Sequence, residues 1–221
     1  MKKVLLGFAI AALFASCSKD EVTPVSYGNI MVVHTSPDAP NVDLLLDNNK
    51  INQTALSFPN NTGYLQIPSG TRNFKVNVAG TTTTVINADL PIEKDKSQTL
   101  FAIDSVSILS TLLLNDDLTA PAMGKSHVRF VHLSPDAPAV DIALVGGAVV
   151  FPNVAFKGNT AFTPLDAGTY NLEVRVAGTS TVALTLPPIT VENGRIYTVF
   201  AKGFLGGSGT QALDAAIIVN K

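Results

Sequence analysis

The sequence predicts an all-β protein in which two tandem antiparallel β-sandwich domains follow a signal peptide. Three observations predict it. Apolar and polar residues alternate with a period of two over short segments, as at 74–78 and 172–176, the mark of half-buried strands. Glycine, proline and asparagine punctuate those segments where turns are needed. A block of sequence near residue 34 returns 98 residues later, a period of domain size and too long for a solenoid repeat. No stretch beyond Cys17 carries a helical period with caps.

The chain begins with Lys2 and Lys3, an apolar run from Val4 to Phe14, and the small residues Ala15 and Ser16 ahead of Cys17. A basic start, an apolar stretch and a small-residue cut site make a secretory leader. A run of about eleven apolar residues falls well short of the roughly twenty that a spanning helix needs. Residues 1–16 are therefore expected to be removed. Phe14-Ala15-Ser16-Cys17 resembles the lipobox of bacterial lipoproteins, with Phe14 where leucine is usual. That resemblance implies a diacylglycerol in thioether linkage on Cys17, with the lipid bilayer as partner. Two or more acyl chains suffice for stable anchoring. Ser18-Lys19-Asp20-Glu21 resembles a surface-export signal of one group of Gram-negative bacteria. It implies an outer-membrane lipoprotein displayed on the cell surface, the other placement being periplasm-facing on a plain solvated tether.

Composition narrows the rest. Removing Lys2 and Lys3 takes 15 basic residues to 13 against 17 acidic ones, a net charge of −4, and there is no basic stripe. Nucleic acid is an unsuitable partner for such a surface. Cys17 is the sole cysteine, so no intrachain disulfide is available and each domain must rest on its apolar core. Charged residues are few at 14%, a composition that suits strands and tight turns. The boundaries drawn are a leader over 1–16, a tether over 17–28, a first repeat over 29–114, a linker over 115–126 and a second repeat over 127–221.

Within the first repeat the expected strands are 42–46, a segment from Ile51 onward, 74–78 and 98–104. In the second they are 172–176, 196–201 and 212–219. Asn48-Asn49 and Gly146-Gly147 tolerate positive φ and are read as two-residue hairpin turns. Ala79-Gly80-Thr81 and Ala177-Gly178-Thr179 form a second pair of turns, and 203–209 is a glycine-rich loop.

The segment His34-Thr35-Ser36-Pro37-Asp38-Ala39-Pro40-Asn41-Val42-Asp43 recurs as His132-Leu133-Ser134-Pro135-Asp136-Ala137-Pro138-Ala139-Val140-Asp141, identical at eight of ten positions. Val76-Asn77-Val78-Ala79-Gly80-Thr81 answers Val174-Arg175-Val176-Ala177-Gly178-Thr179 at the same offset. Pro37 and Pro135 fix φ at the second position of a type I turn, and Asp38 and Asp136 suit the third. Pro40 and Pro138 hold the residues before them extended and donate no hydrogen bond, which makes the motif a corner rather than a ladder. These paired blocks resemble domain of unknown function 4397, over essentially all of residues 29–219. The resemblance implies an immunoglobulin-like or related sandwich and brings no activity or catalytic residue.

The repeated positions His34, Ser36, Pro37, Asp38, Pro40, Asp43 and His132, Ser134, Pro135, Asp136, Pro138, Asp141 are the candidate site. A zinc site needs three or four nitrogen, sulfur or carboxylate ligands. Each copy offers one repeated histidine and two carboxylates, and the reading is a structural corner with no metal, no cofactor and no catalytic residue. Gly206-Gly207-Ser208-Gly209 has neither the spacing of a nucleophile elbow nor the helix of a phosphate cradle. Three functions stay open. The first is a non-catalytic envelope module that binds a glycan or an envelope protein, the second a cryptic hydrolase with a His/Asp cluster near the Ser-Pro-Asp-Ala-Pro turns, and the third a purely structural component.

Overall fold

A computed structural model describes residues 24–221; the leader, Cys17 and residues 18–23 of the tether lie outside that range. The first copy contains β1 (Tyr27–His34), β2 (Val42–Leu46), β3 (Asn49–Lys50), β4 (Asn61–Pro68), β5 (Gly70–Val78), β6 (Thr84–Ile92), β7 (Ser97–Ile103) and β8 (Ser110–Asp116). The second contains β9 (Lys125–His132), β10 (Val140–Leu144), β11 (Val149–Val154), β12 (Thr163–Asp166), β13 (Gly168–Tyr170), β14 (Leu172–Val176), β15 (Val182–Thr185), β16 (Ile189–Val191), β17 (Ile196–Lys202) and β18 (Asp214–Val219). Each copy is a sandwich of two sheets. In the first they run β4-β1-β7-β8 and β3-β2-β5-β6; in the second, β12-β9-β17-β18 and β11-β10-β14-β15, with β13 and β16 as a separate pair.

One ladder in each sandwich departs from a purely antiparallel plan. β1 pairs with β7, and β9 with β17, in parallel. The chain leaves β1 for the opposite sheet and returns to lie beside it in the same direction. The second copy also breaks its long hairpin. β5 pairs with β6 without interruption from Gly70↔Ile92 to Val76↔Ile86, whereas β14–β15 and β13–β16 are separate ladders. Pro187 and Pro188 fall in that gap, and two consecutive residues without an N–H cannot continue a ladder.

Three sequence expectations move. The first hairpin turn is Asp47-Asn48, both at positive φ, because Leu46 pairs with Asn49. Residues 51–60, expected to begin a strand at Ile51, lie outside any strand apart from a lone bridge at Leu56. The third correction concerns the joint. Asn115 and Asp116 end β8, and Lys125 and Ser126 begin β9, so the segment between the two strands is residues 117–124.

The reason the strands run so far into the joint lies in the packing. Ile30, Val32, Leu100 and Ala102 point into the first sandwich, against Leu44, Phe74, Val76 and Leu90 of its other sheet. Val128, Phe130, Val199 and Ala201 do the same in the second, against Ile142, Phe151 and Val174. The residues between them face the other way and form a third core shared by both copies: Met31, Val33, Phe101 and Ile103 from one, Val131, Leu133, Phe200 and Ile218 from the other. The central strands β1, β7, β9 and β17 are therefore buried on both faces, and the protein is a four-layer stack. Strands of this kind are apolar on consecutive residues rather than alternating, as Ile30-Met31-Val32-Val33 and Leu100-Phe101-Ala102-Ile103 are.

The two faces meet about a pseudo-two-fold. Phe101 lies opposite Val33 in its sheet and Phe200 opposite Val131, so the two are equivalent, and their rings meet edge-on at 6.1 Å. Beside them sits a ring of polar side chains. Arg129 Nη2 lies 2.6 Å from Asp116 Oδ1, both side chains almost wholly buried. Asp116 Oδ2 accepts from Tyr64 OH and from Thr99 Oγ1, each at 2.6 Å. Arg129 Nε donates to Thr198 Oγ1, which donates to Asn220 Oδ1, and Asn220 Nδ2 donates back to Tyr64 OH. Arg129 also stacks on the Phe162 ring at 4.6 Å. Burial draws the guanidinium below its usual range while the Asp116 charge opposes that shift. Burial and the same carboxylate push the Tyr64 phenol well above its ordinary 10.0, so it stays a donor.

Phe200→Ala is expected to lower stability by about 3–5 kcal/mol, as removal of a buried aromatic does, and to do so in a single transition shared by both copies. Chemical denaturation followed by fluorescence and circular dichroism checks this. A loss under about 1 kcal/mol, or two separated transitions, would show that the shared core does not join the copies.

Candidate functional site

The repeated motif closes one corner of each sandwich. β1 ends at His34 and β9 at His132, and both imidazoles are fully buried. Nε2 of each lies 3.0 Å from a carbonyl oxygen six residues on, that of Pro40 or Pro138. A carbonyl only accepts, so Nε2 carries the proton and Nδ1 is left as an acceptor. In the second copy Nδ1 of His132 accepts from the Ser134 N–H at 3.3 Å; Nδ1 of His34 is buried without a partner. Each ring stands edge-on to a phenylalanine, His34 to Phe58 at 6.2 Å and His132 to Phe156 at 6.4 Å. Burial lowers both imidazoles from the ordinary 6.5, with the carbonyl contact opposing it in part.

Of the remaining motif residues, Ser36 and Ser134 are buried, whereas Asp38 and Asp136 are exposed and bonded to the chain's own backbone. Pro37-Asp38 and Pro135-Asp136 occupy the turn. Asp38 Oδ1 accepts from the Val106 N–H and Asp136 Oδ1 from the Leu205 N–H, each at 2.8 Å, which ties the corner to the loop after β7 or β17. The Ser36 hydroxyl reaches Asp38 at 3.5 Å, while that of Ser134 donates to Gly203 O at 2.7 Å. Thr35 Oγ1 donates to Ala102 O at 2.7 Å.

One face further on, Asp43 Oδ2 accepts from Gly80 N–H at 3.0 Å and Asp141 Oδ2 from Gly178 N–H at 2.9 Å. Both glycines have φ of +72°, a conformation that a β-carbon would strain, so the carboxylate grips a turn only glycine forms easily. Lys50 bonds Asp43 at 2.7 Å and, with the Gly80 N–H, holds its carboxyl below the usual range. Asp141 instead accepts from Asn153 N–H at 2.6 Å.

The structure thus brings each histidine to its proline carbonyl and each aspartate to a backbone N–H, and makes neither carboxylate a hydrogen-bond partner of its histidine. Among the described residues no group of three or more His, Cys, Asp or Glu side chains is placed to hold a metal. Phe58 and Phe156 belong to the corner and carry no motif signature; their 98-residue spacing is the signal that finds them. Arg129 and Asp116 also lie outside the residues singled out by the sequence, although a charge inside the apolar run 128–131 is conspicuous.

Two recesses contrast with the corner. The core of the second copy encloses an apolar void of about 20 Å³ lined by Phe130, Phe151, Leu165 and Tyr170, room for about one water but with no polar partner for it. On the first copy an open, polar recess of about 570 Å³ is lined by Asn52, Gln53, Thr54, Asn60, Asn61 and Thr62.

A family model described as "Domain of unknown function (DUF4397)" matches residues 28–143 and 143–220. The boundary between the two matches falls inside β10, whereas the strands place the break at 117–124. No curated protein matches the chain. Among solved structures it is similar to the Bacillus anthracis TIE protein, at 13% identity and a TM-score of 0.26 over 80% of this chain, and it spans only 34% of that protein's length. It is also similar to CBMbc (family CBM26) from Eubacterium rectale Amy13K, solved in complex with maltoheptaose, at 11% identity and a TM-score of 0.26, covering 86% of this chain and 95% of that one.

The buried neutral histidines set a pH dependence whose sign comes from linkage. The unfolded chain takes up protons from pH 6.5 downward and the folded chain resists them, so stability rises with pH in that range. The contribution is complete above 6.5 and lost as pH falls through the lower folded values. Melting temperature is expected to drop on acidification from pH 7 to about 5, and His34→Gln with His132→Gln to flatten that drop. An unchanged slope would show that the imidazoles are not held neutral. His132→Ala alone is expected to lower stability by about 2–4 kcal/mol, since it leaves a cavity and an unpaired Pro138 carbonyl.

Proposed function

The chain belongs to the domain of unknown function 4397 family, and from that premise we propose that it is an exported lipoprotein acting as a non-catalytic binding or structural module of the cell envelope. One observation carries the non-catalytic part: every repeated histidine and aspartate is committed to a backbone group of its own corner. General acid–base chemistry needs a group within reach of substrate and free to exchange its proton. A buried imidazole bonded to a carbonyl six residues away meets neither condition, and this speaks against the cryptic-hydrolase reading.

Support for the anchoring comes from the leader, from Cys17 and from the polar segment 18–21, as read in the sequence. A thioether-linked lipid on Cys17 would leave a tether of about nine residues before β1, enough to lift the double sandwich clear of the bilayer while keeping it close. The polar recess of the first copy suits a neutral, hydrogen-bonding ligand such as a glycan or a polar segment of another envelope protein. It offers amide and hydroxyl groups and no aromatic platform. Two sandwiches locked face to face present such a recess on a rigid body rather than on a swinging domain.

Cell fractionation tests the anchor. Cys17→Ala is expected to move the protein from the membrane to the soluble fraction of the envelope; unchanged membrane association would end the lipoprotein reading. Protease added to intact cells is expected to remove the anchored protein if it is displayed outward, whereas full protection would place it facing the periplasm.

A further inference from the structure

The two faces of the shared core are equivalent surfaces that differ in a few residues, and those differences are complementary in charge. Met31 and Arg129 are equivalent, each lying opposite a threonine, Thr99 or Thr198. Asp116, the last residue of β8, and Asn220, the residue just after β18, are equivalent: Asp116 pairs with Ser97, and the Asn220 N–H bonds the carbonyl of Ile196, the counterpart of Ser97. Tyr64 of β4, opposite Met31, and Phe162, the residue just before β12 on which Arg129 stacks, are equivalent. The first copy thus brings an acid and the phenol that bonds it. The second brings a guanidinium, the ring it stacks on and a neutral amide.

We propose that this exchange of Met31 for Arg129 and Asp116 for Asn220 is a pairing code, which lets the first copy accept the second as partner and makes each copy reject its own kind. The face of the first copy is an interaction surface fitted to one class of partner: a sandwich of this family that supplies a buried guanidinium at the position of Arg129. Two first copies joined through the same pseudo-two-fold would bury two Asp116 carboxylates and no cation. Two second copies would bury two Arg129 guanidinium groups against Asn220 and no acid. An ion pair deprived of one partner is strongly unfavourable in such surroundings, while the complete pair is close to neutral. Selectivity therefore comes from the mismatched alternatives, as it does at other specific interfaces. The apolar part of the face, Phe101 on Phe200 and Val33 with Val131, is nearly the same on both sides and is not selective by itself.

The test uses the full chain with a protease site placed in residues 117–124, where Met123 is exposed. The cut protein is allowed to exchange partners and its pairs are counted by native mass spectrometry. Mixed pairs are expected to exceed either homotypic pair by at least about tenfold. In R129M/D116N each copy carries Met and Asn at these positions, and homotypic pairs are expected to rise at least about tenfold. Homotypic pairs that are abundant before substitution, or that stay scarce in the double variant, would overturn the code and leave shape as the selector. The uncut chain gives a second readout that needs no separated halves. R129M and D116N should each lower the melting temperature, and the double variant should melt above both. A double variant that loses as much as the two singles combined would show that the charges are not coupled, which also overturns the proposal.

Discussion

Asp116 and Arg129 meet at 2.6 Å with their side chains shut off from water, one from the last residue of β8 and the other from the middle of β9. Only residues 117–124 separate these strands, yet the contact decides how two otherwise self-contained sandwiches are held. Taking two charges out of water costs several kcal/mol per ion, and their attraction offsets this only where the remaining polar atoms are satisfied. Tyr64, Thr99, Thr198 and Asn220 supply that satisfaction, drawn from both copies. Moving one copy against the other would leave charges and hydroxyls unpaired in a dry core. The pair therefore sets orientation, while Phe101, Phe200 and their apolar neighbours supply most of the favourable free energy.

Within each sandwich the repeated motif performs the same task twice with slightly different parts. Histidine holds the proline carbonyl, the turn aspartate holds the loop after the seventh strand or its counterpart, and the strand aspartate holds a glycine turn. The small differences show which contacts are essential to the corner. Lys50 serves Asp43 where Asn153 serves Asp141, and Thr35 does in the first copy part of what Ser134 does in the second. What stays constant is the bond from a side chain to the backbone of a distant segment, the interaction that closes a sandwich lacking any disulfide.

Much of this is legible in the residues alone. Strand β2 occupies the residues that its pattern marks, and the alternation at 74–78 and 172–176 marks strands whose apolar residues face a core, although Asn77 and Glu173 on their other face are buried as well, bonded to Thr84 and Arg175. A turn at Asn48-Asn49 is one residue late, since both Asp47 and Asn48 tolerate the left-handed region and only pairing selects between them. Ile51 looks like strand because it is apolar and comes after a turn; instead it packs at the edge of the core while the Asn52 side chain accepts from the Leu44 N–H and donates to the Val42 carbonyl of β2. A joint over 115–126 is too wide because Asn115, Asp116, Lys125 and Ser126 are polar, and polarity is an ambiguous sign at a place where buried and solvated polar groups look alike.

Periodicity, turn residues and the repeat by themselves determined the all-β class, the two copies and the strand–corner–strand motif, because all of these depend on residues close in the chain or on identity at a fixed offset. Only the tertiary structure decided that the copies pack face to face, that β1 and β7 run parallel, and that the repeated histidines bond carbonyls rather than carboxylates. Those outcomes depend on which of two equivalent faces finds a partner. A chain shows which residues are apolar or charged; it does not show which distant surface will take them out of water.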